Sequence, residues 1–93
     1  MGTRVEWDPA KAAANLEKHG ITFEETAAVF LDPLSSTIPD PAHSFDENRF
    51  VTMGLDTVGR LLVVVHTEQE DTLRIISARE ATPQERRAYE SEE

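Results

Sequence analysis

The stretch RFVTMGLDTVGRLLVVVHTEQEDTLRIISARE, residues 49–80, contains three apolar segments separated by two short polar turns. Residues 49–55 alternate between two faces, residues 61–65 are continuously apolar, and residues 73–78 form the third segment. Strands joined by such short connections pair antiparallel, because a parallel pair needs a long crossover. The stretch therefore predicts an antiparallel meander, and the continuous segment predicts a central strand covered on both faces.

The flanking segments predict further strands and three helices. A first strand is expected at Val5 to Trp7, and an edge strand at Leu34 to Ile38, where the following prolines cannot donate to a ladder. Three cap signals mark the helices, and each places a side-chain acceptor where the first turn has free N–H groups. Asp8-Pro9 begins the first predicted helix, which ends at Gly20. Thr22 and Glu25 begin the second, which ends at Asp32-Pro33, and Thr82-Pro83 with Glu85 begins the third.

The predicted order is β-α-α-β-β-β-β-α, in one domain that spans residues 1–93. We expect an α+β fold in which a small antiparallel sheet carries two N-terminal helices and a short C-terminal helix. A chain of this length has no room for a second core.

The composition limits the possible functions. The net charge is −9, so the general field would repel RNA or DNA, and any such binding must come from a local basic patch. The same charge suits a basic protein partner. The chain has no cysteine, no apolar membrane-spanning segment and no signal-peptide core, so we expect a cytoplasmic protein that does not bind membranes. Its histidines are far apart and its carboxylates are not at ligand spacing, so we expect no metal and no cofactor.

Two arginines stand near the ends of the last predicted strand, Arg74 and Arg79. An unpaired guanidinium is very costly in a core, so each is expected at a strand end or on a wet face. The planar guanidinium matches phosphate, and the pair therefore suggests an anion site. In a regular strand positions 74 and 79 point to opposite faces. Either a bulge or twist unites them, or only one belongs to the site.

The ordered set of these segments resembles the BrnT family of bacterial toxins over nearly the whole chain. The matching residues are Glu6–Lys11, Asn15-Leu16, Lys18–Ile21, Phe23–Glu25, Phe30, Asp32-Pro33, Glu47, Arg49, Gly54, Leu62–Val64, Arg74–Arg79, Ala81-Thr82, Glu85-Arg86 and Tyr89. The resemblance implies a RelE-like fold and a ribonuclease toxin of a type II toxin–antitoxin pair. It also implies a ribbon-helix-helix antitoxin as partner, with which the toxin represses its own operon, so that DNA is contacted only through the antitoxin.

Metal-free RNA cleavage requires a base for the 2′-hydroxyl, cations for the charged phosphorane and an acid for the leaving oxygen. We expect three arginines to hold phosphate, and three other side chains to be candidates for proton transfer or orientation. The first group is Arg49, Arg74 and Arg79; the second is His66, Lys18 and Glu47; and His19, Arg86 and Tyr89 are candidates for RNA contact.

Each candidate also has a structural interpretation that stays open at this stage. Arg79 would form a surface salt bridge to Glu80 or Glu85, Arg49 would form a loop-end ion pair with Glu47, and a histidine near a strand end is often half-buried. Lys18 and His19 sit at a helix C-terminus, where the dipole favours cations. Tyr89 is favoured to pack on the sheet.

A second hypothesis is a catalytically weak binding module that acts mainly as the partner of a DNA-binding repressor. The net charge favours it, and so does Glu80, which stands where the family usually has a basic residue.

Overall fold

The computed structural model describes residues 3–43 and 48–91. Five strands and three α-helices follow one another as the sequence predicts, and a 3-10 turn continues the second helix. The strands are β1 Arg4–Trp7, β2 Ser36–Pro39, β3 Arg49–Leu55, β4 Leu61–Gln69 and β5 Thr72–Glu80, and the helices are α1 Pro9–His19, α2 Phe23–Ala27 and α3 Pro83–Glu90. The 3-10 turn covers Ala28–Leu31, and a second one covers Pro41–His43.

The sheet has the order β1-β5-β4-β3-β2. Its last four strands form the predicted antiparallel meander. The prediction of a simple antiparallel sheet is wrong for β1, which pairs parallel with β5 at the edge of a mixed sheet. This pairing joins the first strand to the last, so no turn signal in the local sequence predicts it.

One face of the sheet packs against α1, α2 and the 3-10 turn, and this core face holds most of the buried apolar residues. They are Leu62 and Val64 of β4, Leu73, Ile75 and Ala78 of β5, and Ile21, Phe23 and Val29 from the helical layer. Trp7 meets Phe23 edge-on, with ring centroids 6.0 Å apart. The alternation predicted for β3 is confirmed, because Thr52 and Gly54 turn to this core face and are buried.

The predicted helix caps are confirmed. Asp8 Oδ2 accepts a hydrogen bond of 3.0 Å from the Lys11 backbone N–H, and Gly20 has a φ of 72°. Both capping boxes form completely. The second helix is shorter than predicted, since α2 gives way to the 3-10 turn, and Leu31 at the end of that turn is 84% exposed.

The side chain of Asn15 attaches α1 to the sheet. Its amide nitrogen donates to the carbonyls of Ala78 at 2.9 Å and Ile21 at 3.0 Å, and its oxygen accepts from the Ala78 N–H at 3.0 Å. The pairing of β1 with β5 ends at Ile75, and beyond that point the Asn15 side chain hydrogen-bonds the Ala78 backbone of β5 as a neighbouring strand would. Asn15 is the buried residue of α1, whereas the neighbouring Leu16 is 49% exposed.

We predict that Asn15→Ala lowers the free energy of unfolding by about 3 kcal/mol, because three buried backbone groups lose their partner. Urea denaturation measures the change. Asn48→Ala, at an exposed turn position, is the matched control and should stay within about 0.5 kcal/mol of the parent. A loss for Asn15→Ala no larger than that of the control would show that the amide does not hold α1 in place.

Candidate functional site

A bulge in β5 places Arg74 and Arg79 on the same side of the sheet. Opposite β4, Val65 pairs with Ser77 while the next residue, His66, pairs with Ile75, so Ile76 is the extra residue. An extra residue shifts the alternation of a strand by one. This side, opposite the core face, is called the outer face here. The bulge that the sequence left as one of its alternatives is therefore present.

The three predicted phosphate-binding arginines all lie on the outer face but do not converge. Thr67 of β4 pairs with Arg49 of β3 on one side and with Arg74 of β5 on the other. Arg79 stands opposite Val63, four residues away along the same strand, which corresponds to about 13 Å. The structure thus brings two of the arginines to one end of the outer face and leaves the third at the other end.

Each of these arginines is paired with a carboxylate. Arg74 Nη1 lies 2.8 Å from Glu6 Oε2, and Arg49 Nε lies 3.0 Å from Asp40 Oδ2. Arg79 donates two parallel hydrogen bonds to Glu85, at 2.9 and 3.0 Å, in the fork geometry that a phosphate would use. The hydrogen bond from Arg79 is the main reason that the pKa of Glu85 falls to about 2. An anion must displace Glu85 before it can bind the same fork of Arg79, whereas Arg49 and Arg74 each contact their carboxylate through one nitrogen.

Two lysines that have no carboxylate partner among the described residues line a different place together with His19, a concavity of about 200 Å³ between α1 and β5. We call it the α1–β5 cleft. Its walls are formed by Lys11, Ala14, Asn15, Lys18 and His19 of α1 and by Ile76 and Ser77 at the bulge. No carboxylate of the described residues lines it. Lys11, Lys18 and His19 make no ion pair with any residue in the described ranges, whereas five arginines elsewhere lie 2.7 to 3.6 Å from a carboxylate.

The sequence of α1 explains why these side chains share one cleft. Positions 11, 15 and 18 are four and three residues apart, so they lie along one stripe of the helix. Because Asn15 is bonded to the edge of β5, the residues before and after it on the stripe are held beside the bulge. Two outer-face arginines flank the cleft along β5: Arg79 is two residues, or about 7 Å along the strand, from Ser77, and Arg74 is two residues from Ile76.

The imidazole of His66 is inside the core and has no access to a ligand. It is completely buried, its Nε2 lies 2.6 Å from Thr52 Oγ1, and the ring of Phe30 meets it edge-on at 4.9 Å. Its Nδ1 is 3.3 Å from Glu68 Oε2 and forms no hydrogen bond in the described part of the chain. Burial lowers the pKa of His66 to about 4, so the ring is neutral at pH 7. The strand continues to Gln69, and His66 is therefore not at its end as expected.

The remaining candidates lie apart from the cleft. Arg86 Nη1 is 3.6 Å from Glu90 on α3. Tyr89 packs against β2 and β3 in an apolar groove, as its structural interpretation expected, and its hydroxyl donates to Asp32 Oδ2 at 3.0 Å. Glu47 falls outside the described residues.

Sequence reasoning passed over three residues of the cleft, Lys11, Asn15 and Ser77. The available signal was the stripe of Lys11, Asn15 and Lys18, which reads as an ordinary solvated face until β5 is placed beside it.

Within residues 3–43 and 48–91, no group of three or more histidine, aspartate and glutamate side chains is arranged to hold a metal ion. None of the described helices is long and apolar enough to cross a membrane.

We predict that Glu85→Gln reduces the dependence of stability on acid pH. The pKa of Glu85 in the folded protein, about 2, lies below its ordinary value of 4.5, so its ion pair stabilises fully above the ordinary value. That contribution disappears as the pH falls from about 5 to about 2. The free energy of unfolding of the parent should therefore fall more steeply over this range than that of Glu85→Gln.

Urea denaturation at a series of pH values tests this expectation. Glu90→Gln, on the same helix with a carboxylate that is 59% exposed, is the control and should follow the parent curve. Parallel curves for the parent and Glu85→Gln would contradict the importance of the Arg79 pair.

Comparison with known proteins agrees with this fold and extends the sequence resemblance. Residues 7–85 match the family model described as the ribonuclease toxin BrnT of a type II toxin–antitoxin system. The crystal structure of the Brucella abortus ribonuclease toxin BrnT has the same fold, with a TM-score of 0.69 and 20% sequence identity over 86% of this chain and 97% of that one. No curated protein matches the sequence. The chain therefore belongs to the BrnT family of ribonuclease toxins of type II toxin–antitoxin systems, which implies an antitoxin partner and an RNA substrate.

Proposed function

We propose that this protein cleaves RNA without a metal ion and that its reaction centre is the α1–β5 cleft. The observation that carries the proposal is that Lys18 and His19 line a concavity to which no described carboxylate contributes, in a chain of net charge −9. A local positive site is the only place where such a chain can attract a polyanion. The two residues were also candidates on sequence grounds.

The side chains of the cleft suit the chemistry. Attack by a ribose 2′-oxygen on the adjacent phosphorus forms a 2′,3′-cyclic phosphate and breaks the bond to the 5′-oxygen. We assign the charge on the phosphorane to the ammonium of Lys18. The imidazole of His19 takes the 2′-proton and, as the imidazolium so formed, gives a proton to the departing 5′-oxygen, because an imidazole can act first as a general base and then as a general acid.

The arginines of the outer face have a secondary place in this proposal. Arg79 borders the cleft through Ser77 and adds a second cation once RNA phosphate displaces Glu85. Arg49 and Arg74 contact flanking phosphates at the other end of the same face. Glu47 remains a candidate for orienting a neighbouring base, and Arg86 and Tyr89 for contacting RNA beside α3. His66 has no part, because its ring is buried.

We assign the antitoxin to the ribbon-helix-helix class, with the complex repressing its own operon and DNA contacted by the antitoxin alone. The charge of −9 supports a basic partner. The fold is assigned to the RelE-like group and the site of action to the cytoplasm.

Substitution of the cleft residues tests the proposed reaction centre. Lys18→Met and His19→Gln are each expected to slow RNA cleavage by at least about 100-fold, the usual contribution of an acid, base or charge-stabilising group, and to relieve growth arrest on expression. Arg87→Met is the control, since Arg87 is an exposed α3 cation without an ion pair in the described residues. Cleavage rates are measured with purified protein in the presence of EDTA.

Two results would contradict the proposal in different ways. Undiminished cleavage by both cleft variants would remove the reaction centre from this cleft. Cleavage by the parent that stops in EDTA and returns with added Mg²⁺ would refute metal independence.

The ion pairs on the outer face favour a second candidate function. All three predicted phosphate-binding arginines are neutralised by Glu6, Asp40 and Glu85, which suits a binding module with little catalytic activity. Such a protein would act as the structural partner of a DNA-binding repressor. The parent chain would then be harmless on expression and would leave RNA intact, yet bind tightly to a small basic protein encoded beside it.

A further inference from the structure

We propose that Lys11 binds a backbone phosphate of single-stranded RNA, next to the phosphate held at Lys18, so that the α1–β5 cleft contacts two phosphates of one strand. The inference rests on the proposed function in one respect, that RNA occupies this cleft. Lys11 is a binding residue here and has no part in the chemical step.

The geometry of α1 supports two phosphate contacts. Lys11 and Lys18 are seven residues apart, about 10 Å along the helix axis, and they line the same concavity. That separation is too large for both ammonium groups to hold one phosphate with equal ease, and it suits neighbouring phosphates of an extended strand. Asn15 lies between them and is bonded to β5, so the helix cannot turn either lysine away from the bulge.

The local structure gives Lys11 no stabilising role of its own. It is the third residue of α1, and the positive end of the helix dipole disfavours a cation there. The nearest acidic group along the chain, Asp8, uses its carboxylate to cap the helix by accepting from the Lys11 backbone N–H at 3.0 Å. Lys11 forms no ion pair within residues 3–43 and 48–91. The helix dipole explains Lys18 and His19, but it does not explain Lys11.

The predicted contact is electrostatic and independent of sequence. A lysine ammonium is a point charge that recognises phosphate without reading a base. Removal of one such contact from a single-stranded complex lowers the slope of log K against log salt by about 0.7, and it weakens binding about fourfold at 0.15 M salt. The effect should be the same for RNAs of different sequence.

The experiment measures the dissociation constant over a range of salt concentrations. The probe is a short single-stranded RNA oligonucleotide whose 2′-hydroxyls are methylated, so that it cannot be cleaved. Lys11→Met should show the smaller salt slope and the weaker binding, while Lys11→Arg should restore both. Arg87→Met, which removes an equal charge from α3, should match the parent.

Equal slopes for Lys11→Met and the parent would overturn the inference, as would an equal decrease for Arg87→Met, or an absence of binding by the parent. Cleavage assays on unmodified RNA separate this inference from the proposed function. If the parent cleaves, Lys11→Met should raise KM about fourfold and leave kcat unchanged. If the parent binds with the predicted difference in slope but does not cleave, the phosphate contact holds and the catalytic proposal fails.

Discussion

The three hydrogen bonds of the Asn15 amide are the constraint on which the site depends. They fasten α1 to the edge of β5 where β1 has ended, and they tie the same helix to the carbonyl of Ile21 in the following turn. A buried amide costs free energy unless its donors and acceptor are all used, and here they bond backbone groups that would otherwise lack a partner. The helix is therefore fixed in rotation as well as in position, and its polar stripe forms a wall of the cleft.

The second determinant is the distribution of charge on an acidic chain. Each of the arginines predicted to bind phosphate has a carboxylate partner on the outer face; Arg74 pairs with Glu6, for example, and Arg79 pairs with Glu85. These pairs reduce the local positive potential, and Glu85 also occupies the hydrogen-bonding fork of Arg79. The α1–β5 cleft differs because no carboxylate of the described residues lines it. Carboxylates would therefore compete with an anion at the arginines but not at the cleft.

Local sequence signals predicted the elements well, whereas the site depended on contacts that no local signal contains. The capping boxes and the meander were confirmed because cap residues, turns and alternation act within a few positions. The parallel pairing of β1 and the Glu6 partner of Arg74 join distant parts of the chain, and the bulge at Ile76 depends on the pairing of β5 with β4. Arg79, in contrast, pairs with a carboxylate only six residues away, Glu85. The burial of His66 is decided by Phe30 and the helical layer.

The binding of RNA at the α1–β5 cleft is tested most directly by an NMR titration. Isotope-labelled protein is titrated with a 2′-O-methylated single-stranded RNA, and the shifts of backbone amides and of the lysine ammonium groups are followed. The account predicts that the largest changes occur at Lys18, His19 and Ser77, and that they precede changes at Arg49 and Arg74. Shifts confined to the outer face around Arg49 and Arg74, with the residues of the cleft unaffected, would contradict it.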